Sequence, residues 1–110
     1  MYEYRAKLIK VVDGDTIDAE IDLGFKTFVK KRIRFLGINS HETRSMDLVE
    51  KEFGLNAKSR LQALLAASNG AFVLKSHGLG KFGRVLGEIF IDEVNINNLL
   101  IEEGLADVYK

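Results

Sequence analysis

The sequence predicts a small α+β domain dominated by β structure: a five-stranded Greek-key barrel of the OB type with two helices. Three observations carry that expectation. Three strand-like runs follow one another over residues 4–36, with turn signals between them. One strongly helical segment separates them from two further strand-like runs, and a short helical segment follows the last of these. An open α+β sheet of the β-grasp kind is the competing arrangement of the same elements. The 110 residues suit a single domain, 1–110. At that length folding buries about two-thirds of the chain's surface, so a core can form without staples. There is no cysteine to supply a disulfide or a thiolate metal ligand.

Residues 4–12 mix apolar and basic side chains and form the first strand. Over 16–23, Ile17, Ala19, Ile21 and Leu23 alternate with Asp18, Glu20 and Asp22, the period of a strand with one face on a core. Asp22-Leu23-Gly24 signals a turn, so residues 25–36 return as the third strand of a meander. Phe25, Thr27, Val29, Ile33 and Phe35 share one of its faces, with Lys31 the exception. Lys26, Lys30, Arg32 and Arg34 share the other with Phe28 and Leu36. Residues 37–48 are a loop. Residues 55–68 form a helix, with Ala57, Leu61, Leu64, Leu65 and Ser68 at spacings of three and four, Gly54 at its start and Asn69-Gly70 at its stop. A short strand at 71–75 leads into the glycine-rich loop SHGLGKFG at 76–83. The fifth strand follows at 84–91, and a short helix at 95–103 is stopped by Gly104.

No apolar run approaches the roughly 18 residues of a membrane helix. The opening Met1-Tyr2-Glu3-Tyr4-Arg5 has no apolar signal region, so a cytoplasmic, monomeric protein without membrane partners is expected. The formal net charge is zero, which alone points away from a polyanionic partner. The distribution points the other way. Residues 23–41 carry Lys26, Lys30, Lys31, Arg32 and Arg34 with no acid, and residues 53–87 carry Lys58, Arg60, Lys75, Lys81 and Arg84 with none. Either this is a solvated face balanced by acids elsewhere, or it is a surface for a polyanion.

The stretch VVDGDTI, residues 11–17, interrupts a strand with two carboxylates, Asp13 and Asp15. Asp-Gly is a common turn pair. Two acids so close also repel one another unless a cation lies between them, and hard cations take oxygen ligands. Ile17 stands where a Ca²⁺-binding EF-hand loop would need an oxygen, so further ligands must come from elsewhere. The loop GINSHETR, residues 37–44, offers Asn39, Ser40 and Glu42. His41 belongs to no HExxH motif and reads as a solvated loop histidine. Arg34 lies just before that loop, and Arg84 opens the fifth strand after the glycine-rich loop. A planar guanidinium grips two phosphate oxygens at once. Two arginines, a carboxylate and a divalent cation are the parts that hydrolyse a phosphodiester.

Taken together, the motifs resemble the staphylococcal nuclease (thermonuclease) family over roughly residues 5–110. Val12-Asp13-Gly14-Asp15-Thr16 is similar to its first motif, and Arg34 followed by Glu42 in RFLGINSHET to its second. EFGLNA at 52–57, Lys81-Phe82-Gly83-Arg84, and Asn97 with Gly104-Leu105-Ala106 match further stretches in order. The resemblance implies an OB barrel and a Ca²⁺-dependent phosphodiesterase acting on DNA and RNA, with Mg²⁺ or another divalent cation as substitutes. It implies metal ligation by Asp15, Asn39 and the Ser40 carbonyl, with Asp13 nearby through water. It makes Glu42 the group acting on the attacking water, Arg34 and Arg84 the phosphate-holding groups, and Lys81 and Phe82 flanks of a neighbouring nucleotide. The alternative is a catalytically inactive nucleic-acid-binding OB module. Asn39 and Phe82 stand where the best-known member has aspartate and tyrosine, and His41 where it has proline. The resemblance also ends short of that member's C-terminal helix. Weaker Ca²⁺ binding, a looser loop around Glu42 and lower stability are the expectations.

Overall fold

The computed structural model describes residues 2–40 and 47–109. Strands β1 (Tyr2–Asp13), β2 (Thr16–Asp22) and β3 (Phe28–Phe35) form an antiparallel meander. There follow β4 (Ile38–Asn39), α1 (Leu48–Ala67), β5 (Ala71–Leu79), a 3-10 turn (Lys81–Gly83), β6 (Val85–Ile91), β7 (Val94–Asn95), α2 (Ile96–Glu102) and β8 (Asp107–Val108). The main sheet runs β3-β2-β1-β5-β6-β7. The sheet closes on itself where β6 pairs in parallel with β3, through Ile33–Val85, Arg34–Leu86 and Phe35–Gly87, which leaves the two-residue β7 outside the ring. That pairing closes a five-stranded mixed barrel with two helices, the OB-type arrangement expected; closure also sets aside the open β-grasp sheet.

The alternation in β2 is realised in three dimensions up to Asp22. Leu23, expected on the core face, is exposed because it already belongs to the hairpin turn, where its N–H donates to the Thr27 carbonyl at 2.8 Å. Ile17, Ala19 and Ile21 are buried and meet Ile33, Phe35, Leu74 and Ile89 from the other strands. Leu61 and Leu65 of α1 and Ile96 and Leu100 of α2 join the same cluster, each fully buried leucine or isoleucine contributing about 1.5–3 kcal/mol. One polar group helps lock the closure. Asn97 is buried and donates from Nδ2 to the carbonyls of Leu36 (2.9 Å) and Gly87 (3.1 Å), while its Oδ1 accepts from the Ile89 N–H at 3.2 Å. It therefore fastens α2 to the seam between the end of β3 and β6.

Several boundaries differ from the sequence expectation, each for a local reason. α1 begins at Leu48, not near Leu55, because Asp47 caps it: the carboxylate accepts from the N–H groups of Val49 (2.9 Å) and Glu50 (3.2 Å). Leu48, Val49 and Phe53 are exposed, so the first two turns carry no amphipathic signal, and Gly54 lies inside the helix on its buried face. β3 begins at Phe28, because Phe25 (φ 55°) and Lys26 (φ 59°) form the left-handed turn of the β2–β3 hairpin and the Phe25 ring is fully exposed. β5 runs on to Leu79 through half of the glycine-rich segment, bulging between Ser76 and Leu79 where Gly78 adopts φ 104°.

Candidate active site

The β1–β2 turn places the first acids. Asp13 pairs with Thr16 across a tight turn made by Gly14 and Asp15. Gly14 is there for space: a Cβ on it would meet the Ala57 Cβ at 2.6 Å and Ser40 Oγ at 3.1 Å. Helix α1 thus presses directly on the turn backbone and fixes which way Asp15 faces.

Asp15 is buried, yet neither carboxylate oxygen is idle. Oδ1 accepts from the Thr16 hydroxyl at 2.8 Å, and Oδ2 from the Ser40 N–H at 2.9 Å. Arg34 Nη1 lies 3.5 Å from Oδ2 and supplies the counter-charge. The Asp15 carbonyl accepts from the Phe35 N–H at 2.8 Å, which ties the turn to the end of β3. Arg34 is itself held on several sides. Nη1 donates to the Phe35 carbonyl at 3.0 Å, and Nη2 to Asn39 Oδ1 at 3.1 Å. The Tyr109 ring covers the guanidinium, with its centroid 5.8 Å away. Tyr109 reaches that position because β8 pairs with β4 (Ile38–Val108, Asn39–Asp107) and the Tyr109 N–H donates to the Gly37 carbonyl at 2.9 Å.

A cleft of about 590 Å³ opens beside this buried pair, lined by Val12, Asp13, Thr16, Lys30, Lys31, Arg32, Phe82, Gly83 and Arg84. Thr16 belongs to both: its hydroxyl donates to Asp15 and it lines the cleft. Across the cleft, Phe82 is almost fully exposed at 94%, on a left-handed backbone (φ 61°). The Arg84 guanidinium lies 5.9 Å from its ring centroid. Arg32 is committed elsewhere, bound through two hydrogen bonds to Asp18 at 2.8 and 3.1 Å, and these bonds hold the Asp18 carboxyl below its ordinary range.

Of the residues singled out in the sequence, Asp15, Arg34, Asn39 and Ser40 are in direct contact, while Asp13, Phe82 and Arg84 share the adjoining cleft. Glu42 and His41 lie outside the described residues, as does the Lys81 side chain. Sequence reasoning missed Tyr109, which no local pattern marks, and did not place Lys30 and Lys31 beside the site.

The family model described as staphylococcal nuclease homologue matches residues 32–110. The chain belongs to the staphylococcal nuclease family. Within it, the chain is 30% identical over 104 residues to the SPbeta prophage-derived endonuclease YokF of Bacillus subtilis, covering 92% of this chain and 33% of that protein. It is 28% identical to endonuclease YncB of the same organism, covering 92% and 46% of the two chains. Against the thermonuclease of Staphylococcus hyicus the identity is 25%, over 94% and 59%. The chain therefore spans between a third and three-fifths of the length of these curated relatives.

The donor set can be tested against a divalent cation of the kind the family resemblance implies. The available atoms are all oxygens: the Asp15 carboxylate, Asn39 Oδ1, the Ser40 carbonyl and hydroxyl, and Asp13. That is the hard set such cations take. Ser40 Oγ is buried with no hydrogen-bond partner, an orphaned oxygen beside the turn. Formal charge is scarce, however. Among the described residues no three His, Cys, Asp or Glu side chains group together, and the Arg34 guanidinium bridges Asp15 and Asn39. The described residues fit a hard cation in kind, and among them Asp15 is the one buried carboxylate to neutralise it.

Proposed function

We propose that this protein is a metal-dependent phosphodiesterase that hydrolyses DNA and RNA at the barrel end where Asp15, Arg34 and Arg84 lie. The observation that carries the reading is the buried Asp15–Arg34 contact at 3.5 Å, opening through Thr16 into a basic cleft. A buried ion pair is a poor way to gain stability, because desolvation offsets most of the attraction. A carboxylate beside a phosphate-binding surface also repels the ligand, unless a cation or the chemistry needs it there. Membership of a family whose named members here include two endonucleases and a thermonuclease supports the same reading.

In this reading Asp15 holds the cation, with Asn39 Oδ1 and the Ser40 carbonyl as further donors and Asp13 nearby through water. Bound Ca²⁺, or Mg²⁺ in its place, would offset charge on the phosphate and favour ionised water. Arg34 and Arg84 grip the non-bridging oxygens and oppose the charge that grows on them in the transition state. Glu42 accepts the proton of the attacking water as its oxygen bonds to phosphorus. The P–O bond to the leaving sugar oxygen then breaks, and that oxygen takes up a proton. Tyr109 restrains the Arg34 plane, so the guanidinium is placed before substrate arrives.

The test is hydrolysis of denatured DNA and of RNA by the pure protein with Ca²⁺, with Mg²⁺ and with chelator. Cleavage that requires the cation and falls at least a hundredfold in Glu42→Gln and Asp15→Ala, with circular dichroism unchanged, is the expected result. Binding without cleavage under every metal would overturn it in favour of a non-catalytic nucleic-acid-binding OB module.

A further inference from the structure

Lys31 contradicts the pattern of its strand. In the β2–β3 ladder Ile17 faces Ile33, Ala19 faces Lys31 and Ile21 faces Val29. Residues directly opposite in an antiparallel pair project to the same side of the sheet. Ile17, Ala19, Ile21 and Ile33 are buried on that side, so the backbone aims Lys31 at the core face. Lys31 is nevertheless exposed. The seam explains how. The parallel pairing of β3 with β6 covers only Ile33–Phe35 and Val85–Gly87. At Lys31 the barrel wall has no β6 neighbour, and the inward side chain emerges into the cleft faced by Phe82, Gly83 and Arg84.

The charges there are unequal. Among its described lining residues the cleft carries four basic side chains, Lys30, Lys31, Arg32 and Arg84, and one carboxylate, Asp13, and Arg32 is committed to Asp18. Lys30 and Lys31 make no ion pair among the described residues, although Glu20 stands opposite Lys30 in the ladder. The cleft continues from Thr16, at the rim of the proposed reaction centre, away along the open half of β3.

From this geometry we infer that the open seam is a second phosphate subsite: Lys31, assisted by Lys30, binds the backbone phosphate of a nucleotide next to the one being cleaved. A polynucleotide is then held at two phosphates, and longer substrates are favoured over single phosphodiesters. The inference takes its ligand class from the phosphodiesterase reading. Lys31 is a binding residue here and touches no reacting atom.

The experiment compares wild type with Lys31→Met, which keeps the stem and removes the charge, and with Lys26→Met on the distant hairpin turn. Binding of a labelled 12-nucleotide oligothymidylate is followed in chelator over a range of KCl. Cleavage is followed on the same oligomer and on a chromogenic nucleotide ester with one phosphodiester. Loss of one phosphate contact should lower the slope of log K against log salt by about 0.7 in Lys31→Met and leave it unaltered in Lys26→Met. The fall in kcat/KM for the oligomer should exceed that for the single ester by roughly five- to tenfold. Equal falls on both substrates would overturn the inference by placing Lys31 at the scissile phosphate. An unchanged slope accompanied by self-association of Lys31→Met would also overturn it, making the lysine a guard of an open strand edge. If wild type cleaves neither substrate, the phosphodiesterase reading fails, yet the salt slope still decides whether the seam binds phosphate.

Discussion

Gly14→Ala gives the sharpest test of how the fold orients the site. The added methyl carbon would lie 2.6 Å from the Ala57 Cβ and 3.1 Å from Ser40 Oγ. Carbon atoms settle at about 3.5–4.0 Å, so the deficit is about an ångström against a carbon fixed to a helix backbone. No side-chain rotation relieves that, and the turn and α1 must separate. Overpacking of this kind costs roughly 1–3 kcal/mol, and the rigid partner puts the expectation near the upper end, about 2–3 kcal/mol. For a chain of this size that is a fall in Tm of about 10 °C or more. Ala57→Gly removes the colliding carbon but costs about 1 kcal/mol of helix propensity. The two changes together should therefore cost about 1–2 kcal/mol in place of the additive 3–4, a coupling of about 2 kcal/mol. Urea unfolding of the four proteins measures it. A Gly14→Ala loss under about 0.5 kcal/mol, or simple additivity, would refute the claim that α1 bears on this turn.

Asn97→Ala leaves the Leu36 and Gly87 carbonyls and the Ile89 N–H without their partner, and should cost about 3 kcal/mol in chemical denaturation; a loss below about 1 kcal/mol would show that water replaces the amide. Asp18 is held below the ordinary carboxylate range first by its hydrogen bonds from Arg32, so its contribution is complete above about pH 4 and disappears as pH falls through the lowered value. The pair is substantially solvated, so Asp18→Asn should cost under about 1 kcal/mol at pH 7, and the difference from wild type should vanish at strongly acid pH; a pH-independent difference would refute the ion-pair account. Asn39→Asp adds a carboxylate beside Asp15 and Arg34 and should tighten Ca²⁺ binding at least tenfold by calorimetry, whereas unchanged affinity would make Asn39 solely an anchor for Arg34.

What was legible in the sequence follows from how each contact is encoded. The β2 alternation and the helix periodicity are local signals of burial: Ile17, Ala19, Ile21, Ala57, Leu61 and Leu65 are buried, Leu64 and Ser68 are half-buried, and Leu23, in the hairpin turn beyond β2, is exposed. The start of α1 was not legible, because Asp47 acts through its own hydrogen bonds while the residues it launches, Leu48 and Val49, remain exposed. In the site, ordered motifs brought Asp15, Arg34, Asn39 and Ser40 to notice, and these do meet. The sequence treated Asp13 and Asp15 as one repelling pair. The fold gives them different surroundings, with Asp15 buried against Ser40 and Arg34 while Asp13 lines the cleft. Tyr109 over Arg34 depends on β4 meeting β8 across some 70 residues of chain, for which no short pattern exists.

Two ion pairs in this molecule show how burial distinguishes their purposes. Arg60 and Glu103 join α1 to the C-cap of α2 through two bonds of 2.7 and 2.9 Å, and the pairing depresses the Glu103 carboxyl chiefly through the hydrogen bond from Arg60. Both groups keep access to water, so this tether costs little desolvation and can be exchanged for other surface contacts. Asp15 and Arg34 are mostly withdrawn from water, with side-chain exposures of 9% and 14%, and their closest approach is the looser 3.5 Å. A pair selected for stability would close that gap and leave the acid few competing donors. Here the acid instead takes Thr16 and Ser40 donors, and the arginine spreads its own across Phe35 and Asn39. Each charge is fixed in place by groups other than its counter-ion. Either one can therefore turn to a new partner without unfolding its surroundings, which is what the proposed phosphodiesterase reading requires when the internal ion pair is exchanged for a cation and a phosphate.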